Sequence, residues 1–114
     1  MNGISTHVQD VSRGLPAPGI KVTLSRLEHG GQWTPLLSGT TDAGGRVDSL
    51  LPAGFPLQRG AFRLHFETAS YFAAAGANCF HPYVEVVFTV SDPARHHHVP
   101  LLLSAFGYTT FRGA

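Results

Sequence analysis

Apolar and polar residues alternate with a period of two in three stretches of the chain. Ile20, Val22 and Leu24 alternate with Lys21, Thr23 and Ser25; Phe62, Leu64 and Phe66 with Arg63, His65 and Glu67; and Val84, Val86, Phe88 and Val90 stand opposite Glu85 and Thr89. Successive side chains of a strand point to opposite faces, so each stretch predicts a strand with one buried face. Further strands are expected over 5–11, 32–39, 45–49, 95–104 and 107–113, about eight in all. Between them, Gly14-Leu-Pro-Ala-Pro-Gly19, His29-Gly-Gly31, Asp42-Ala-Gly-Gly45, Pro52-Ala-Gly-Phe-Pro56 and Ser91-Asp-Pro93 carry turn chemistry, in which Gly supplies positive φ and Pro fixes φ. One segment breaks the alternation. Thr68-Ala-Ser-Tyr-Phe-Ala-Ala-Ala-Gly76 offers an N-cap at Thr68, good helix formers and a terminal Gly, and predicts a single short helix over 69–75. The expected fold class is all-β, a sandwich of two sheets with one helix, forming a single domain over 1–114.

Composition narrows the function classes. At 114 residues the chain is long enough to bury roughly two thirds of its unfolded surface. Charged residues are 13% and apolar ones 43%, against about 25% charged in an average soluble protein. Such a surface has few charges to keep copies apart, which points to self-association. The net charge of +1, with no Lys/Arg cluster, gives no basis for nucleic-acid binding. No apolar run approaches the roughly 20 residues that span a bilayer, and no signal-like segment opens the chain, so a cytoplasmic protein without membrane contact is expected. Cys79 is the single cysteine and reads as a small hydrophobe near a turn.

Candidate chemistry concentrates in Arg95-His96-His97-His98. In a strand His96 and His98 share one face with Pro100 and Leu102, while His97 faces the other way with Val99 and Leu101. Two imidazoles at i and i+2 suit a metal pair, solvated edge positions or acid/base work; a zinc site needs further ligands that the sequence does not supply. His7 alone reads as a polar strand residue. Arg46, following Thr41-Asp-Ala-Gly-Gly45, suits either surface coverage or the clamping of an anion. Arg112, the third residue from the end of the sequence, suits a terminal ion pair or a ligand contact. There is no nucleophile elbow, phosphate loop or Cys-x-x-Cys.

Four segments together carry a resemblance: Thr6-His-Val-Gln-Asp10 with Gly14-Leu-Pro-Ala17; Thr40-Thr-Asp-Ala-Gly-Gly-Arg46; Phe66-Glu-Thr-Ala-Ser-Tyr-Phe72 leading to His81-Pro-Tyr-Val-Glu-Val-Val-Phe88; and His98-Val-Pro-Leu-Leu-Leu-Ser104 through Gly107-Tyr108. In order and spacing they resemble the transthyretin-like family, and within it the 5-hydroxyisourate hydrolases. His7, Arg46 and His98 match the hydrolases' His, Arg and His. The closing Phe111-Arg112-Gly113-Ala114 resembles their Tyr-Arg-Gly-Ser, with Phe111 and Ala114 each lacking a hydroxyl. The resemblance implies a transthyretin-like β-sandwich and a homotetramer built as a dimer of dimers. It further implies hydrolysis of the small molecule 5-hydroxyisourate to 2-oxo-4-hydroxy-4-carboxy-5-ureidoimidazoline in urate degradation. His7, Arg46 and His98 would be catalytic, and Phe111, Arg112, Gly113 and Ala114 substrate-binding, with no metal or cofactor. A transthyretin-type small-molecule carrier, using the same cleft without chemistry, is the alternative.

Overall fold

The computed structural model describes residues 3–114. Nine strands and one helix follow in the order β1 (Ile4–Asp10), β2 (Leu15–Pro16), β3 (Lys21–Leu27), β4 (Trp33–Thr40), β5 (Arg46–Val47), β6 (Gly60–Phe66), α1 (Thr68–Ala74), β7 (Val84–Val90), β8 (His97–Leu103) and β9 (Tyr108–Thr110). One sheet has the order β2-β1-β8-β9, with β5 also paired to β1; the other has the order β4-β3-β6-β7. The expected all-β sandwich with one short helix is therefore the observed architecture.

The alternation read from the sequence sets the core. Phe62, Leu64 and Phe66 are fully buried, and Val84, Val86 and Val90 nearly so; Phe88, half-buried, stacks on Phe62 with centroids 6.1 Å apart. From the first sheet Ile4, Val8, Val99, Leu101 and Leu103 face them. Each such side chain contributes about 1.5–3 kcal/mol on leaving water. Of the strand pairs, β1 and β8 run parallel, with Ser5 opposite His98 and His7 opposite Pro100.

Several expectations are corrected. The helix runs from Thr68 to Ala74, and its N-cap is Glu67, without a side-chain cap bond. Thr68 is the first helical residue, and its hydroxyl is buried without a partner. The reason lies in the preceding strand: Glu67 N–H donates to Lys21 O at 3.0 Å, fixing the chain at the end of β6 so that the helix starts one residue early. The C-terminal stop is as expected. Gly76, at φ 70°, donates to Ala73 O, and Ala77 N–H to Phe72 O, the Schellman arrangement. Ser25, placed on the polar face by its pattern, is buried; it stands opposite Arg63 of β6 and, past the register shift that leaves Leu36 of β4 unpaired, opposite Pro35. Leu15–Pro16, read as turn, forms a two-residue edge strand, where a proline without N–H is tolerated. Regular pairing of the last strand covers Tyr108–Thr110 rather than 107–113.

Candidate active site

β1 organises the site, because it pairs with β5 on one side and β8 on the other. Directly opposite residues of a ladder share a face. Arg46 stands opposite His7, and His98 opposite Ser5; Ser5 and His7 are two apart on one strand. The outer face of the first sheet thus carries Ser5, His7, Arg46 and His98 together.

Arg46 is held there by a tight turn. Asp42 Oδ1 accepts from Gly44 N–H and Arg46 N–H at 2.9 Å each, and Gly45 at φ 75° turns the chain under β1, its carbonyl accepting from Val8 N–H at 2.7 Å. A Cβ at Gly45 would collide with the Val8 carbonyl and stand 3.1 Å from Pro16 Cβ. The Arg46 side chain is exposed, and no carboxylate among the described residues pairs with its guanidinium.

His98 is half-buried, and Ser5 Oγ lies 2.8 Å from its Nδ1. Nε2 is left as the nitrogen available for chemistry. Burial holds the His98 imidazole below its ordinary pKa; Arg46, His7 and His96 push the same way, and Asp48 opposes. His7 lies close enough to act on His98 through charge, but the hydrogen bond that orients His98 comes from Ser5. Sequence reasoning missed Ser5. The available signal was its position two residues before His7, on the same strand face.

The chain end returns to β8. Gly113 N–H donates to His98 O at 2.9 Å, in the register begun by Leu101 and Thr110. Gly113 therefore lies directly opposite His98, and a Cβ there would come 2.6 Å from His98 Cδ2. Beside it a cleft of about 470 Å³ is lined by His97, His98, Phe111, Arg112 and residues of β7 including Phe88. His7 and Arg46 lie outside this cleft and meet it at His98. Arg112, opposite Val99 in the continued register, acts on His97 rather than on His98. Neither it nor Arg46 pairs with a carboxylate among the described residues, the terminal one included. Among those residues no three His, Cys, Asp or Glu side chains converge as metal ligands.

His97 points inward with Val99 and Leu101, as its parity requires. Its Nδ1 is buried without a partner of good geometry. Burial lowers its pKa; the Arg95 backbone opposes, and Arg112, Arg95 and His96 lower it further. For both His97 and His98 the folded value lies below the unfolded 6.5, so between the two values the unfolded chain binds more protons. Their stability contribution is full above about pH 6.5 and is lost as pH falls through the folded values. The melting temperature should fall between pH 7.5 and 5.5, and fall less in His97→Phe. A flat wild-type profile in calorimetry would contradict this.

The comparisons with known proteins agree with this architecture. The family model described as HIUase/Transthyretin family matches residues 4–113. The chain is 44% identical over 112 residues to the 5-hydroxyisourate hydrolase of Mus musculus, spanning 97% of this chain and 94% of the mouse protein. Among solved structures it is similar to the 5-hydroxyisourate hydrolase of Klebsiella pneumoniae, with a TM-score of 0.83, 35% identity and coverage of 97% and 98% of the two chains. It is also similar to transthyretin from Sparus aurata, with a TM-score of 0.90, 32% identity and coverage of 99% and 97%. A model match over nearly the whole sequence and a relative far above 30% identity lead to one conclusion: the chain belongs to the HIUase/Transthyretin family.

Proposed function

We propose that this protein is a 5-hydroxyisourate hydrolase, opening the substrate's ring at a cyclic amide-like C–N bond to give 2-oxo-4-hydroxy-4-carboxy-5-ureidoimidazoline. Backbone likeness extends to both hydrolases and transthyretins, so the fold does not discriminate between enzyme and carrier. The reading rests on the shared face on which His98, with Nε2 free, meets Arg46 and His7. Sequence likeness to proteins named as hydrolases, 44% in mouse, supports it further.

In this reading His98 Nε2 takes a proton from the attacking water, whose oxygen bonds to the ring carbonyl carbon. Arg46 binds the carbonyl oxygen as it becomes negative. The C–N bond then breaks, and the proton on Nε2 passes to the expelled nitrogen. His7 adds polar contacts beside Arg46, and Phe111, Arg112, Gly113 and Ala114 border the substrate. The scheme uses no metal or cofactor. The sites would lie between copies in a homotetramer, a dimer of dimers. Exposed apolar side chains support such association: Phe106 at 72%, Phe80 at 70%, Val87 at 60% and Phe111 at 51% exposure.

Ultraviolet decay of freshly generated 5-hydroxyisourate, followed with and without catalytic amounts of protein, tests the assignment. Accelerated decay is expected; unchanged decay would favour a carrier. Gly113→Ala should lower kcat/KM by about 10- to 100-fold, because its methyl displaces the His98 ring or lifts the chain end from β8. Its circular-dichroism melt should stay within a few degrees of wild type. Wild-type kinetics in this variant would show that the close approach of Gly113 is not needed for turnover.

A further inference from the structure

Ser5 Oγ lies between two imidazoles, 2.8 Å from His98 Nδ1 and 2.7 Å from His96 Nε2. A hydroxyl has one hydrogen to give, so it donates to one ring and accepts from the other. The tautomers of His96 and His98 are thereby linked. The bridge itself is shielded, with Ser5 only 7% exposed, but its two ends are not. His98 lines the cleft beside Phe111 and Arg112. His96, exposed, lines a separate hollow of about 240 Å³ together with Gly3, Asp48, Ser49 and Phe55.

We propose that Ser5 and His96 form a proton path through which His98 exchanges a proton with solvent from the hollow beside Asp48, which shares no lining residue with the cleft beside Phe111 and Arg112. The proposal rests on the reading of His98 as the base. As His98 Nε2 takes the proton of the attacking water, the Nδ1 hydrogen passes to Ser5 Oγ. The Ser5 hydrogen passes to His96 Nε2, and His96 releases its Nδ1 hydrogen to bulk water. His98 is then neutral, with its hydrogen on Nε2. When that hydrogen goes to the expelled ring nitrogen, the chain runs backwards: His96 takes a proton from water at Nδ1, and each partner regains its first tautomer. Protons balance over the cycle and no electron is transferred.

The charges around the two rings favour this direction. His98 faces Arg46 on β5, His7 on β1 and His96 on its own strand's approach, with Asp48 the one acidic group acting on it. An imidazolium formed there would sit half-buried beside a guanidinium. At His96 the same charge is exposed and shares its hollow with the Asp48 carboxylate. Ser5 and His96 touch neither substrate nor reacting atoms in this scheme; they are positioning and relay residues.

Steady-state kinetics of wild type, Ser5→Ala, Ser5→Thr and His96→Gln, at low and high buffer concentration, test the path, alongside nitrogen-15 NMR of the imidazoles in wild type and Ser5→Ala. In weak buffer Ser5→Ala and His96→Gln should each lose about tenfold in kcat with little change in KM. Ser5→Thr should recover most of the loss, and added imidazole buffer should raise kcat in His96→Gln but not in wild type. The NMR spectra should show the same tautomer for His96 and His98, both with the hydrogen on Nδ1 or both on Nε2, a match lost in Ser5→Ala. Wild-type kcat in both variants overturns the proposal, as does a loss that neither Ser5→Thr nor buffer restores. An inactive wild-type protein with linked tautomers overturns the hydrolase reading instead, so the two failures are separable.

Discussion

Replacing His98 by Gln should lower kcat/KM for 5-hydroxyisourate by about 10²- to 10⁴-fold, the usual contribution of a positioned general base. The side chain is held by Ser5 Oγ at Nδ1 and by Gly113 against the ring, and its backbone carbonyl accepts from Gly113 N–H. Gln fills much of the same space and keeps a polar group near Ser5, so folding should survive, as a melt within a few degrees of wild type would show. What is lost is a nitrogen able to take a proton near neutrality. The wild-type pH profile carries a second reading of the same group. A base works in its neutral form, so activity falls on the acid side as pH passes down through the His98 pKa. Burial and the neighbouring positive groups hold that pKa below the ordinary 6.5, so the acid limb should lie below pH 6.5. Near-normal turnover in His98→Gln would remove His98 from the reaction.

The parts of the fold that the sequence discloses are those in which one face is buried. Phe62, Leu64 and Phe66 and the valines of β7 announce themselves because a period of two is visible within seven residues. The helix is legible through Gly76, whose conformational freedom terminates it. Thr68 misled for a physical reason. A hydroxyl residue before a helical run has the composition of a cap, but the backbone bond from Glu67 to Lys21 O, a contact between distant segments, decided where the helix began.

The same distinction runs through the candidate site. Parity along β8 correctly separates His97, turned into the core, from His98, turned outward. The partners of His98 come from pairings that no local pattern encodes. Ser5 is 93 residues away in sequence and arrives through the parallel β1–β8 ladder, while Gly113 arrives through the return of the chain end to β8. The family resemblance also implies that Arg46 and Arg112 meet one substrate. In the structure they act on different histidines, Arg112 on inward-facing His97 and Arg46 on His98, because Arg112 stands opposite Val99 and Arg46 opposite His7, positions on opposite faces of the sheet.

Arg46→Ala should cost about 10²- to 10³-fold in kcat/KM, the range for removing a donor that stabilises developing negative charge. No acidic side chain among the described residues neutralises this guanidinium, and the Asp42 turn holds its backbone rather than its head group. An exposed, uncommitted cation beside a histidine is free to bind an anion, and Lys at this position would restore charge without the flat two-pronged geometry. Arg46→Lys should therefore recover only part of the loss. A second readout separates charge stabilisation from a mere packing defect. Arg46 is the leading charged group lowering the His98 pKa after burial, so its removal raises that pKa. The acid limb of the pH profile should accordingly move to higher pH in Arg46→Ala and lie between the two in Arg46→Lys only if the lysine ammonium stands farther from His98 than the guanidinium does. A large rate loss with an unmoved limb would mean that Arg46 acts on substrate from a distance at which His98 no longer feels it. A moved limb with full activity would leave Arg46 as a modulator of His98 alone, and the developing charge would need another donor from the same face, for which His7, directly opposite Arg46 across the β1–β5 pair, is the one positioned.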